Sequence, residues 1–109
     1  MTDPVKVTPE QAAAILEAEH PVIYDTRPAN LFATGHIPGA VNVPLDDLNA
    51  DTAKKVSDDP DKPILAYCNT GQHSSKAVQE LKALGYTNIY DLDGGLAAYH
   101  GEMGDLTTD

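Results

Sequence analysis

Ile64-Leu65-Ala66-Tyr67-Cys68-Asn69-Thr70-Gly71-Gln72-His73-Ser74 is the stretch on which the fold turns. Its first four residues form an apolar run short enough to be a buried strand. Beyond the loop, Ala77, Val78, Leu81 and Leu84 recur at helical spacing until Gly85 ends the pattern. A strand feeding a helix through a short polar turn is a unit of α/β architecture, and this turn holds the only cysteine of the chain. There the Cys68 thiol meets inward-pointing backbone N–H groups and the positive end of a helix dipole. Both favour a thiolate and any anion brought to it.

The same alternation runs outward in both directions. Thr8 caps and Pro9 opens a first helix, with Gln11 at capping-box spacing, and Ala12, Ala13, Ile15 and Leu16 carry it to about Glu19. Pro21-Val22-Ile23-Tyr24-Asp25 reads as a buried strand that ends on a carboxylate. Asn30 to Gly35 is a helical turn, Ile37-Pro38-Gly39 a tight turn, and Ala40-Val41-Asn42-Val43 a further strand. Leu45, Leu48 and Val56 mark a poorly patterned helical stretch, and Ser57 to Pro63 is a polar connector. Asn88 to Leu92 is another strand, Gly94-Gly95 a break, and Leu96 to His100 a last helix before the polar tail Gly101 to Asp109, expected to be loosely held. Strands separated by helices predict right-handed crossovers and a mainly parallel sheet covered on both faces. The carboxyl ends of such strands collect the working residues, so Asp25 and Cys68 are expected to share one site.

With 109 residues the chain is one ordinary domain, large enough for a core without disulfide or metal staples. No apolar run approaches the ~20 residues of a membrane span. The 17 acidic residues against 7 basic ones give a formal charge of −10, which opposes nucleic acid and anionic membranes as partners. Met1 to Lys6 shows no basic stretch followed by an apolar core, so the expectation is a cytoplasmic protein, or a periplasmic one whose leader has been removed. Four scattered histidines and one cysteine are not a zinc pattern, and no glycine-rich phosphate loop is present; neither metal nor cofactor is expected.

Two blocks, Tyr24-Asp25-Thr26-Arg27 and Thr34-Gly35-His36-Ile37-Pro38-Gly39-Ala40-Val41-Asn42-Val43-Pro44-Leu45, resemble the opening signature of rhodanese-like domains. The cysteine loop, Leu84-Gly85-Tyr86, and Leu92-Asp93-Gly94-Gly95 followed by Tyr99 where tryptophan is usual continue the likeness over nearly the whole chain. The resemblance implies a single three-layer rhodanese-like domain, residues 1–109, with a five-stranded, mainly parallel sheet between helices. It also implies transfer of sulfane sulfur through a Cys68 persulfide, from thiosulfate or a persulfide donor to a thiol or cyanide acceptor.

The loop suits that chemistry. Asn69, Thr70, Gly71, Gln72, His73 and Ser74 are the expected substrate-binding residues, since their amides can stabilise the thiolate and the outer sulfur, and Gly71 permits positive φ. No side-chain general base is required. Ser74 either caps the following helix or donates its hydroxyl to sulfur. His73 either begins that helix at the surface or titrates near neutral pH and steers the donor. Asp25 and Arg27 are expected to brace the site as an ion pair, and His36 to make local hydrogen bonds. Many family members place arginine inside the loop, whereas this chain has Asn69 and His73 there, so weak turnover with thiosulfate is expected.

The enzyme reading competes with a relay module that takes sulfur from one protein and hands it to another. Phosphatase or arsenate-reductase chemistry wants a longer loop ending in arginine, and His73 argues against it.

Overall fold

A computed structural model describes residues 3–102 and 104–109. Its elements are β1 (Val5–Val7), α1 (Pro9–Glu19), β2 (Val22–Asp25), α2 (Ala29–Thr34), β3 (Val41–Asn42), a 3₁₀ turn (Leu45–Asp47), α3 (Ala50–Val56), β4 (Ile64–Tyr67), α4 (Gln72–Ala83), β5 (Ile89–Leu92) and α5 (Gly95–Ala98). All strand pairs are parallel, in the order β1-β5-β4-β2-β3, so the strand that delivers Cys68 is central.

Both faces of that sheet are covered. Ile64 and Ala66 of β4 point with Tyr24 and Ile89 into a core closed by Ala53 and Val56 of α3 and Ala77, Val78 and Leu81 of α4. Leu65 and Tyr67 point the other way, with Ile23 and Leu92, into a core closed by Ala12 of α1 and by Ile37. This two-sided burial is why β4 reads as a continuous apolar run instead of an alternating one. Each wholly buried Ile or Leu contributes roughly 1.5–3 kcal/mol, and Ile64, Leu65, Leu81 and Leu92 all reach 0% exposure.

The predicted start and end of α1 are met closely. Thr8 accepts from the Gln11 amide at 3.2 Å while Gln11 Oε1 accepts from the Thr8 amide at 2.9 Å, the reciprocal box expected of that spacing. Two features depart from the sequence reading. Val5–Val7 forms an edge strand on β5 that was not expected, because Val5 and Lys6 are exposed and three residues leave no period to read. The tail expected to be loose is tied back to the domain: Thr107 and His36 exchange backbone hydrogen bonds of 2.8 and 2.9 Å, and the Tyr99 hydroxyl donates to the Gly104 carbonyl.

Candidate active site

Cys68 follows the last residue of β4 and is 2% exposed. Gly71, at φ +96°, turns the chain into α4 and occupies its N-cap position without a side-chain cap. Its N–H donates to Cys68 Sγ at 2.9 Å. The amides of Gln72, His73 and Ser74 open α4 and have no acceptor within the helix, so they add positive potential beside the sulfur. Above Cys68 lies a cleft of about 300 Å³, walled by Arg27, Pro28 and Leu31 on one side and by Asn69, Thr70, Gln72 and His73 on the other.

The loop is held from behind by the turn into α5. The Leu96 amide donates to the Cys68 carbonyl and the Ala97 amide to the Asn69 carbonyl, both at 2.8 Å. Gly95 makes this approach feasible: a β-carbon there would lie 2.2 Å from the Cys68 carbonyl oxygen, and φ is +57°. The Gly94-Gly95 break is therefore a backbone clamp on the cysteine loop.

Asp25 ends β2 beside Tyr67 in the β2–β4 register. Its Oδ1 accepts from the Arg27 amide at 2.8 Å, and its Oδ2 accepts from Arg27 Nη2 at 2.8 Å and from the Tyr67 hydroxyl at 2.7 Å. Arg27 Nη2 also donates to the Gly35 carbonyl at 2.6 Å. Burial works against the guanidinium charge, but the hydrogen bonds and charge of Asp25 outweigh it and raise the Arg27 pKa. Burial, with Asp25 alongside, likewise pushes the Tyr67 hydroxyl up, so it stays a proton donor. Arg27 thus ties the end of β2 to the Gly35 carbonyl and also lines the cleft over Cys68, giving the site a fixed positive charge that the cysteine loop lacks.

Of the expected substrate-binding residues, Asn69, Thr70, Gln72 and His73 line the cysteine's cleft. Ser74 does not. It is the third residue of α4 and fully buried, and of the two roles open to it capping is not found, because Gly71 holds the N-cap. Its hydroxyl donates to Asp91 Oδ1 at 2.6 Å, and the Cys68 thiol donates to Ser74 Oγ at 3.6 Å. Asp91, on β5, was missed by sequence reasoning. It is 2% exposed, and burial raises its pKa against the lowering effect of its serine hydrogen bonds. The available signal was a carboxylate two residues after Ile89 on the face that packs against α4.

A family profile described as a rhodanese-like domain matches residues 8–102. The chain belongs to the rhodanese-like domain family. The thiosulfate sulfurtransferase GlpE of Pseudomonas savastanoi pv. phaseolicola is 34% identical over 107 residues, spanning 98% of this chain and 97% of that protein. The GlpE of Shewanella oneidensis is 36% identical over 90 residues, covering 83% and 86%. A rhodanese-like domain from Anabaena sp. superposes with a TM-score of 0.81 at 26% identity, over 95% of this chain and 79% of that one. A rhodanese-related protein of Thermoplasma volcanium has the same fold, with a TM-score of 0.79 at 24% identity over 96% and 99%. The relatives' names support sulfurtransferase activity of the rhodanese type. In this rhodanese-like domain His36 is 2% exposed, stacks on Phe32 with ring centres 3.7 Å apart, and donates from Nδ1 to the Phe32 carbonyl at 2.8 Å. Among the described residues no cluster of His, Cys, Asp or Glu is arranged to hold a metal, and no helix is long and apolar enough to cross a membrane.

Proposed function

We propose that Cys68 carries sulfane sulfur as a persulfide. The Cys68 thiolate attacks the outer sulfur of a donor such as thiosulfate, a new S–S bond forms, and sulfite leaves with the electron pair of the old one. An acceptor thiolate or cyanide then attacks the outer sulfur and Cys68 departs as thiolate. The observation that carries this reading is the setting of one sulfur: it closes the floor of a cleft whose walls include Arg27 and His73, with the Gly71 amide 2.9 Å from it. Developing negative charge on either sulfur meets donors that are already oriented.

Thiosulfate is a weak donor in this reading. His73 stands where many relatives use arginine, which leaves Arg27, with Nη2 committed to Asp25 and Gly35, as the fixed cation of the cleft. The charge of −10 adds no long-range attraction for a dianion. The same acidity favours a persulfide or a sulfur-relay protein as the physiological donor. Mass spectrometry of Cys68 after exposure to thiosulfate, a small persulfide and desulfurase-derived sulfur tests the reading, with Cys68→Ser as control. A 32 Da gain (the mass of one sulfur atom) on Cys68 is expected; its absence with every donor overturns the proposal.

A further inference from the structure

The cluster behind the cysteine has no task in a mechanism that asks no side chain to take the thiol's proton. Asp91, Ser74 and Ser75 are packed into the seam between β5 and the first turn of α4, on the face of the loop away from the donor cleft. Ser74 is 0% and Asp91 2% exposed. A buried carboxylate placed within one side chain of a nucleophile costs desolvation energy and opposes a thiolate, unless it exchanges protons with it.

Proton counting gives the cluster a direction. Ser74 has one hydroxyl proton and two acceptors in reach, Asp91 Oδ1 at 2.6 Å and the Gly71 carbonyl at 3.3 Å; the shorter contact claims it. Ser74 Oγ is then free to accept, and the Cys68 thiol lies 3.6 Å away. Ser75 holds the other carboxylate oxygen, at 3.1 Å from Oδ2 and 2.8 Å from the Gly71 carbonyl. It has one proton for these two acceptors. It donates to Oδ2 while Asp91 is a carboxylate and can turn to the Gly71 carbonyl when Asp91 is neutral, so the cluster accommodates a proton arriving on Oδ1.

We propose that Asp91 receives the Cys68 thiol proton through Ser74. The proton on Sγ passes to Ser74 Oγ as the proton of Ser74 passes to Asp91 Oδ1. Cys68 becomes a thiolate, Asp91 a neutral acid, and net charge is unchanged. Both hydrogen bonds reverse, leaving the Ser74 hydroxyl donating to the thiolate. Asp91 also lines a cavity of about 540 Å³ with Lys6, His73, Ser75, Lys76 and Asp93, which gives the proton a way to solvent. Thr70, Gln72 and His73 line both this cavity and the cleft over Cys68, so the donor arrives on one side of the loop and the proton leaves on the other. The charged and titratable groups around Asp91 are Lys6 on β1, Asp93 after β5, and His73 and Lys76 on α4; β4 presents Ala66 beside it. Asp91 is a positioning and proton-holding residue that acts through Ser74.

The proposal rests on a working Cys68, but its test needs no sulfur donor. The rate of Cys68 alkylation by iodoacetamide, a neutral reagent, is followed from pH 5 to pH 9 in the wild type, Asp91→Asn, Ser74→Ala and Ser74→Thr. With the relay, internal transfer keeps a pH-independent thiolate fraction in the wild type over the range between the titration of the carboxyl and that of the thiol. Asp91→Asn and Ser74→Ala lose it, fall about tenfold per pH unit, and are not additive when combined. Ser74→Thr, which keeps the hydroxyl, restores the wild-type profile. A carboxylate acting only as a nearby charge gives the opposite result, since its removal would speed alkylation at every pH. Faster or unchanged alkylation in Asp91→Asn overturns the relay. If Asp91→Asn fails to fold, equal profiles for Ser74→Ala and Ser74→Thr overturn it alone. A Cys68 that takes sulfur from no donor would sink the sulfurtransferase reading and leave this result standing.

Discussion

Tyr67 donates its hydroxyl to Asp25 Oδ2 at 2.7 Å across the β2–β4 pair, and the Tyr67 hydroxyl oxygen accepts from the Ile37 amide at 3.1 Å. One phenol therefore joins three segments: the strand that delivers the cysteine, the strand end that holds Arg27, and the turn after His36. Because Tyr67 is the residue before Cys68, the position of the sulfur is coupled to the Asp25–Arg27 pair through a single side chain.

Tyr67→Phe removes that joint with little change in volume. It strips Asp25 of one donor and leaves the buried Ile37 amide without an acceptor. A loss of roughly 2–3 kcal/mol is expected, since hydrogen bonds to charged groups and unsatisfied buried amides each cost on that scale. Urea unfolding measures it. A change below about 0.5 kcal/mol, the range of ordinary surface substitutions, would show that the network does not couple the segments.

Gly95→Ala tests the clamp on the loop. The added methyl would sit 2.2 Å from the Cys68 carbonyl and 2.7 Å from the Asn69 carbonyl carbon, so backbone must move. A cost of ~1–3 kcal/mol is expected from overpacking, together with slower alkylation of Cys68 as the loop is displaced. Gly85→Ala is the control: φ is +101° but the space around it is open, so it strains its own turn and leaves Cys68 reactivity unchanged.

Much of this was legible in sequence where the signal is local. The capping box at Thr8 and Gln11, the two-sided burial of β4 and the glycine that opens the cysteine loop follow from neighbouring residues alone. The rest is tertiary. Arg27 could be paired with Asp25 from spacing, but its place in the wall over Cys68 depends on how the segment after β2 packs against the loop after β4. Asp91 sits near the end of the otherwise apolar and aromatic strand β5, and gains meaning only when Ser74 and Ser75, 17 and 16 residues earlier, are brought to it. The anchor at Thr107 depends on a partner more than seventy residues away. β1 was invisible because three residues, of which only Val7 is buried, are too few to show a period.

Stability should carry the mark of Asp91. Its pKa is raised by burial above the ordinary 3.8, so the folded state holds this proton more tightly than the unfolded chain. The contribution is fully present below the unfolded value and is lost as pH rises through the raised folded value. Asp91→Asn has no such loss. Its melting temperature should gain on the wild type as pH is taken from about 3.5 to 7, even as its thiol becomes less reactive, a trade of function for stability. A difference that stays constant across that range would mean that Asp91 titrates alike in both states.

His73→Arg asks whether the cleft lacks charge for a dianion. His73 is exposed at the second position of α4 and lines the cleft over Cys68, so an arginine there reaches the donor site without displacing core. Its guanidinium adds a fixed charge and a second planar donor opposite Arg27. At pH 8, kcat/KM for thiosulfate should rise about tenfold, equivalent to ~1.4 kcal/mol, with most of the gain in KM. The gain should shrink as salt screens the new charge. Alkylation by neutral iodoacetamide should change much less, because that reagent has no charge to recruit. Equal thiosulfate kinetics in the variant and the wild type would locate the limit in sulfur chemistry or acceptor access, and would remove the electrostatic account of a weak thiosulfate reaction.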